Sequence, residues 1–165
     1  MVGHEDHVLT VAFSPDGDVL ASAGQDTSIR LWDVRTQAEM AKLIGHNQYV
    51  WRLAFTPDGK TLVSLDASGI VRLWDMSDHD ASGRPIGETL PGHVSWAWAL
   101  VLSPDGSTAI TTARTGEVQL WHIDPAWWRA RACAIAGRNL TQDEWSRNLP
   151  GEPYNATCPQ WPPGH

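Results

Sequence analysis

Three stretches of this chain superimpose without a gap, and that repetition limits the possible folds more than any other feature. Gly3-His4, Gly45-His46 and Gly92-His93 open them. Each His is followed eleven residues later by the Pro of Ser14-Pro15-Asp16-Gly17, Thr56-Pro57-Asp58-Gly59 or Ser103-Pro104-Asp105-Gly106. Twenty-eight residues after its His, each stretch closes on Trp32-Asp33, Trp74-Asp75 or Trp121-His122. A triple match at two fixed offsets means one structural unit used three times, and it sets the fold before local propensity is consulted. Length varies only between a closing Trp and the next Gly-His. The stretch 76–91 exceeds its counterpart 34–44 by five residues, and the polar run 77–84 reads as a loop.

Within each unit the pattern is that of short β-strands separated by turns. The first strands are expected at Val8–Phe13, Val50–Phe55 and Ala97–Leu102. Pro-Asp-Gly then turns the chain, since Pro presets φ and Gly accepts positive φ. Second strands follow at Val19–Ala23, Thr61–Leu65 and Thr108–Thr112, and third strands at Ser28–Trp32, Ile70–Trp74 and Glu117–Trp121. A fourth is expected at Glu39–Ile44 and at Ile86–Leu90, with no equivalent in the third unit, where Pro125-Ala126-Trp127-Trp128 reads as the start of a helix.

The 165 residues suffice for about one domain with a real core. Residues 1–124 hold 8 basic and 16 acidic side chains, whereas 125–165 hold 4 basic and 3 acidic, so the composition changes near Pro125. The acidic balance argues against nucleic acid as a partner, because phosphate recognition rests on Lys and Arg. No apolar run approaches the roughly 20 residues of a membrane helix. The first six residues lack the basic and apolar regions of an export signal, and a cytoplasmic location is expected.

The Gly-His opening, the Trp-Asp close and the unit length resemble the WD40 repeat. The resemblance covers residues 3–122 and implies an all-β fold, a partial β-propeller of three four-stranded antiparallel blades, the last lacking its outer strand. It gives repeats at 3–44, 45–91 and 92–124, followed by a helical and Pro-rich extension over 125–165. It also implies a buried hydrogen-bonded set in each blade. His4, Ser22, Asp26 and Trp32 make the first set complete. The second keeps His46, Ser64 and Trp74 with Ser68 where Asp is expected, and the third keeps His93, Thr111 and Trp121 with Thr115 there. Blades two and three are therefore expected to be less tightly fixed than blade one.

In the extension, Pro125 fits the first turn of a helix running to Ala136 with Gly137 as its cap, and a second helix is expected from Thr141 with Glu144 completing a capping box. The run from Ala132-Cys133 through Asn139-Leu140-Thr141 to Thr157-Cys158-Pro159 resembles a C-terminal element of bacterial WD40 proteins, many of them multidomain signalling proteins with a STAND-type ATPase, protease-like or kinase domain upstream. The resemblance implies that the chain is the C-terminal piece of such a protein. The alternative is a three-bladed scaffold that pairs with a second copy into a six-bladed ring, since propellers have about 4–8 blades and open sheet edges invite association.

Residues that suggest chemistry have structural explanations. The recurring His, Asp and Ser fit blade-locking hydrogen bonds, and no spacing suggests a catalytic triad. His4-Glu5-Asp6-His7 lacks the helical pairing of a zinc site and a third ligand. No phosphate-binding glycine loop occurs, so no enzyme activity, metal or cofactor is expected. Cys133 and Cys158 could pair, since both belong to the extension and the second can fold back on the first helix, but reduced, buried thiols are the expected state in a cytoplasmic protein. The sequons at Asn139 and Asn155 matter only in an exported chain.

The resemblance places a binding face at one end of the propeller, formed by residues flanking the start of each innermost strand and by the residue before the structural Asp. Carried over, these are His7, Leu9 and Gln25; Tyr49, Trp51 and Ala67; and Trp96, Trp98 and Arg114. Aromatic residues and Arg are enriched where partners bind. Trp51 and Trp98 have a second reading as packing between blades. The function expected is a non-enzymatic scaffold or sensing module. Its partners would be a protein or peptide on this face, and upstream blades or a second copy at the open edges.

Overall fold

The computed structural model describes residues 1–77, 83–87, 89–90, 92–93, 96–124, 127–128, 131, 133–134, 139, 141–143 and 158. The chain divides into two compact units, Met1–Trp121 and His122–His165.

The first unit is three antiparallel sheets. Strands β1 (Val8–Phe13), β2 (Val19–Gly24), β3 (Ile29–Asp33) and β4 (Glu39–Leu43) form the first in sequence order. Strands β5 (Val50–Phe55), β6 (Thr61–Asp66), β7 (Val71–Asp75) and the two-residue β8 (Arg84–Pro85) form the second. The third has three strands, β9 (Ala97–Leu102), β10 (Thr108–Ala113) and β11 (Val118–His122), with no outer strand among the described residues. This is the expected partial propeller.

Local chemistry explains the boundaries. Ser14, Thr56 and Ser103 each bond through the side-chain hydroxyl to the carboxylate two residues on, at 2.5, 2.6 and 2.5 Å. The same oxygens accept the backbone N–H of Val19, Thr61 and Thr108, tying turn to second strand. Gly17, Gly59 and Gly106 take φ of 81°, 70° and 71°, which only glycine adopts without cost. The third strands start one residue later than expected. Ser28, at the head of β3, bonds instead to Asp26 Oδ1 through both its N–H and its hydroxyl, a turn that excludes it from the ladder. The outer strand of blade two also differs from the expected Ile86–Leu90. It pairs at Arg84–Pro85, breaks where Gly87 turns with φ 67°, and returns only as an isolated bridge from Leu90 to Val71.

The Gly of each Gly-His has a steric cause in blades one and two. A Cβ on Gly3 would lie 2.9 Å from the ring edge of Trp32, and one on Gly45 would lie 3.3 Å from that of Trp74. The opening Gly and the closing Trp are one packing unit.

The core lies between blades one and two, where Ala21, Ile29 and Leu31 meet Val50, Leu53 and Leu62, all less than a tenth exposed. The repeat offset shows which faces remain open. Val118 and Leu120 of blade three occupy the positions of Ile29 and Leu31, which are fully buried, yet are 60% and 66% exposed. Val11 and Phe13 of blade one, at the positions of Leu53 and Phe55, are likewise exposed. The two end blades thus present opposite apolar faces of one packing interface.

In the second unit the described residues Trp127, Trp128, Arg131, Cys133 and Ala134 are helical, as are Gln142 and Asp143. The ring of His122 stacks on Trp127 at 4.2 Å, and the indole N–H of Trp128 donates to the carbonyl of His122. Pro125, Ala136, Gly137 and Glu144 lie outside the described residues. Cys133 and Cys158 form a disulfide rather than the expected pair of thiols, with Cα atoms 5.5 Å apart. Asn139, buried beside them, donates to the carbonyl of Cys158 and accepts its N–H, at 3.1 and 2.7 Å. No helix among the described residues is long and apolar enough to cross a membrane.

Candidate functional site

Each blade holds a buried polar relay. In blade one His4 Nδ1 meets Asp26 Oδ2 at 2.8 Å, His4 Nε2 meets Ser22 Oγ at 2.7 Å, and the indole N–H of Trp32 donates to the same Oγ at 2.7 Å. Blade two repeats these contacts at 2.8, 2.7 and 2.8 Å with His46, Ser64 and Trp74, but its carboxylate is Asp66. The expectation of an incomplete second set is therefore wrong. Asp66 stands two residues before the position of Asp26, reaches His46 from the end of β6, and accepts the hydroxyl of Ser68 at 2.6 Å. Blade three pairs His93 with Thr111 at 3.0 Å, and Trp121 donates to Thr111 at 3.0 Å. Its carboxylate is Glu117, two residues beyond the expected position, at 3.2 Å and with a side chain 47% exposed. Only this third relay is loose.

The order Ser–His–Asp is that of a catalytic triad, although the spacings did not suggest one. Its environment is not catalytic. Ser64 is fully buried and already accepts the indole N–H of Trp74, so no substrate reaches its oxygen. Among the described residues no group of three or more His, Cys, Asp or Glu is placed to hold a metal, His4-Glu5-Asp6-His7 included. A cleft of about 440 Å³ opens between blades one and two at the Pro-Asp-Gly end, lined by Asp16, Asp18, Asp33 and Arg35 among others. Its polar groups serve the turns: Asp16 holds Ser14, and Asp33 accepts the N–H of Thr36.

Burial pushes the Asp26 carboxyl up, but hydrogen bonds from His4, the Glu5 N–H and Ser28 outweigh it and hold it at about 2, below its ordinary 3.8. Asp66 is lowered in the same way, by His46, Ser68 and Ile70 against the cost of burial. A carboxyl depressed by folding stabilises the fold above its unfolded value, and that contribution is lost as pH falls toward the folded value. The denaturant midpoint of the first unit is expected to hold above about pH 4 and to fall between about pH 4 and 2. Asp26→Asn should flatten that fall, and an unchanged slope would remove Asp26 from the balance.

At the other end of the blades, the residues expected on the binding face come together in a repeated geometry. The backbone N–H of Gln25, Ala67 and Arg114 donates to the carbonyl of His7, Tyr49 and Trp96, at 2.9, 2.8 and 2.9 Å. The register of each innermost strand slips around one residue: Leu9 between Val8 and Thr10, Trp51 between Val50 and Arg52, Trp98 between Ala97 and Ala99. Each is the extra residue of a β-bulge, which frees it from the ladder and re-aims its side chain.

The aromatic members gather at blades two and three. Trp51 lies 6.2 Å from Trp96 and 6.5 Å from Trp98, centroid to centroid, with all rings tilted. Trp96, Trp98 and Tyr49 are 54%, 50% and 42% exposed, while Trp51 is half-buried. The indole N–H groups of Trp32, Trp74 and Trp121 all have acceptors, but the buried Nε1 of Trp51 has none among the described residues. Sequence reasoning missed Arg52, whose guanidinium folds back to donate to the carbonyl of Trp51 at 2.8 Å. It also missed Asp66 and Glu117, which a search for any carboxylate 20 to 24 residues after each His would have found.

Comparison with known proteins agrees with this architecture. A stretch of 40 residues is 50% identical to the Notchless protein homolog of Arabidopsis thaliana, covering 24% of this chain and 8% of that protein. Another of 32 residues is 62% identical to a probable cytosolic iron-sulfur protein assembly protein CIAO1 homolog of Nematostella vectensis, covering 19% of this chain and 10% of that one. The chain thus matches about a tenth or less of the length of these relatives. The family described as WD domain, G-beta repeat, matches over residues 1–33, 37–75 and 84–122, each match ending on the third strand of a blade. The chain belongs to the WD40 family.

Proposed function

We propose that this chain is a non-enzymatic interaction module that takes a protein or peptide across the blade end carrying His7, Leu9, Gln25, Tyr49, Trp51, Ala67, Trp96, Trp98 and Arg114. WD40 repeats point to protein partners, and the observation that supports this end is the exposed cluster of Trp96 and Trp98 around Trp51. Large aromatic rings outside a core are costly to leave in water and bury much area at little rotamer cost when a partner covers them. The test is selection of binding peptides from a random library on the whole chain. Trp51→Ala with Trp98→Ala should abolish capture of the selected peptides while leaving the β-sheet circular dichroism intact. Undiminished capture would move the site elsewhere, and loss of the β signal would assign both rings to the core.

The open apolar faces support a second class of partner. Val118 and Leu120 at one end, and Val11 and Phe13 at the other, match the two sides of the buried interface between blades one and two. Further blades, from a longer parent chain or from a second copy, fit these faces. In a parent of the bacterial signalling type that the C-terminal resemblance implies, partner capture would act on an upstream effector. Sedimentation of the whole chain, with and without Leu120→Asp, tests the second-copy arrangement.

A further inference from the structure

The charges at the aromatic cluster run against the acidic balance of the blades. Residues 1–124 carry twice as many acidic as basic side chains, yet two arginines, Arg52 and Arg114, meet the backbone of Trp51 and Trp96 at this end. The guanidinium of Arg52 donates to the carbonyl of Trp51, and the backbone N–H of Arg114 donates to the carbonyl of Trp96. Both are exposed, and neither makes an ion pair among the described residues, in contrast to Arg30, which is paired with Glu39. Among the described residues the acidic groups of these two blade ends are engaged by histidines, Asp66 buried against His46 and the half-exposed Glu117 against His93. The half-buried Trp51 adds an N–H without an acceptor among the described residues.

We infer that this end of blades two and three binds an acidic peptide segment in which one or two carboxylates stand beside a bulky apolar side chain. The inference rests on the proposed interaction face and names its ligand. The apolar side chain lies against Trp96 and Trp98, and the carboxylates take charge-assisted hydrogen bonds from Arg52 and Arg114. A carbonyl or carboxylate oxygen satisfies Trp51 once the ring re-seats, removing the cost of an orphaned donor. The overall negative charge of the chain repels acidic segments elsewhere on its surface, so the two arginines also set where such a segment docks.

The experiment measures binding of three blocked peptides to the whole chain by fluorescence anisotropy. One carries two glutamates beside a phenylalanine, and the others replace both glutamates with glutamine or with lysine. The glutamate peptide is expected to bind at least tenfold more tightly than the glutamine peptide, with the lysine peptide weakest. Arg52→Gln with Arg114→Gln should erase that tenfold preference, and rising salt should shrink it. Equal binding of all three peptides, lost in the Trp51→Ala and Trp98→Ala variant, overturns the acidic ligand but leaves the interaction face standing. Tighter binding of the lysine peptide, or displacement of the glutamate peptide by a single-stranded oligonucleotide at lower concentration, also overturns it. If no peptide binds here, and library selection on the same chain yields none, the interaction face itself fails.

Discussion

Asp66→Ala is expected to destabilise the first unit by about 3 kcal/mol, roughly a 10 °C fall in melting temperature. Asp66 and His46 are buried and bonded at 2.8 Å, so removing the carboxylate strands an imidazole that water cannot reach. The loss spreads. Asp66 Oδ1 also accepts the N–H groups of Ser68 and Ile70 and the hydroxyl of Ser68, so the turn between β6 and β7 loses its organiser. With the imidazole neutral, Nδ1 donates to Asp66 and Nε2 accepts from Ser64, whose oxygen accepts from Trp74; the carboxylate fixes the direction of the whole chain. Glu117→Ala should cost well under 1 kcal/mol, because that side chain is half exposed and its contact with His93 is longer. Thermal melts of both variants decide the matter. Equal losses would mean that the carboxylate merely occupies space, and a silent Asp66→Ala would show that the relay closes through Ser64 and Trp74 alone.

That gradient shows what was legible in the sequence. His, Ser or Thr, and Trp fall at fixed offsets because each sits on a strand or at its edge, where backbone geometry allows one register. The carboxylate approaches from the connection between the second and third strands or from the strand end beside it, and can therefore come 20, 22 or 24 residues after the His. A search at one offset therefore finds Asp26 and misses Asp66 and Glu117. The strands were legible because Pro-Asp-Gly, apolar alternation and Trp mark both ends of each hairpin. The outer strand of blade two was misplaced because the longer connection leaves its pairing to tertiary contact. At the binding end, the aromatic residues could be read from the sequence by resemblance, but the bulges that free Leu9, Trp51 and Trp98 could not. The same is true of Arg52, whose position in the middle of a strand gives no sign that its guanidinium turns back onto Trp51.

Opening the link between Cys133 and Cys158 is expected to loosen the second unit by about 3 kcal/mol and to leave the blades unchanged. The two residues are 25 apart in sequence, and closing a loop of that size removes about that much freedom from the unfolded segment. Both sulfurs are buried, and the bond ties the helical turn at Cys133 to Cys158, whose backbone Asn139 also holds. Asn139 lies on that same segment-to-segment contact and holds both backbone groups of Cys158, so disulfide and amide act as neighbouring clamps. Hydrogen exchange read peptide by peptide separates the units: with Cys133→Ser and Cys158→Ser together, amides around residues 131–143 and 158 should exchange about a hundredfold faster, while those of 1–121 keep their rates. Unchanged exchange in the tail would mean that Asn139 suffices. Faster exchange in the blades would mean that the two units do not unfold independently. Disulfides persist where surroundings are oxidising, so in a reducing compartment the tail should behave as the double variant does.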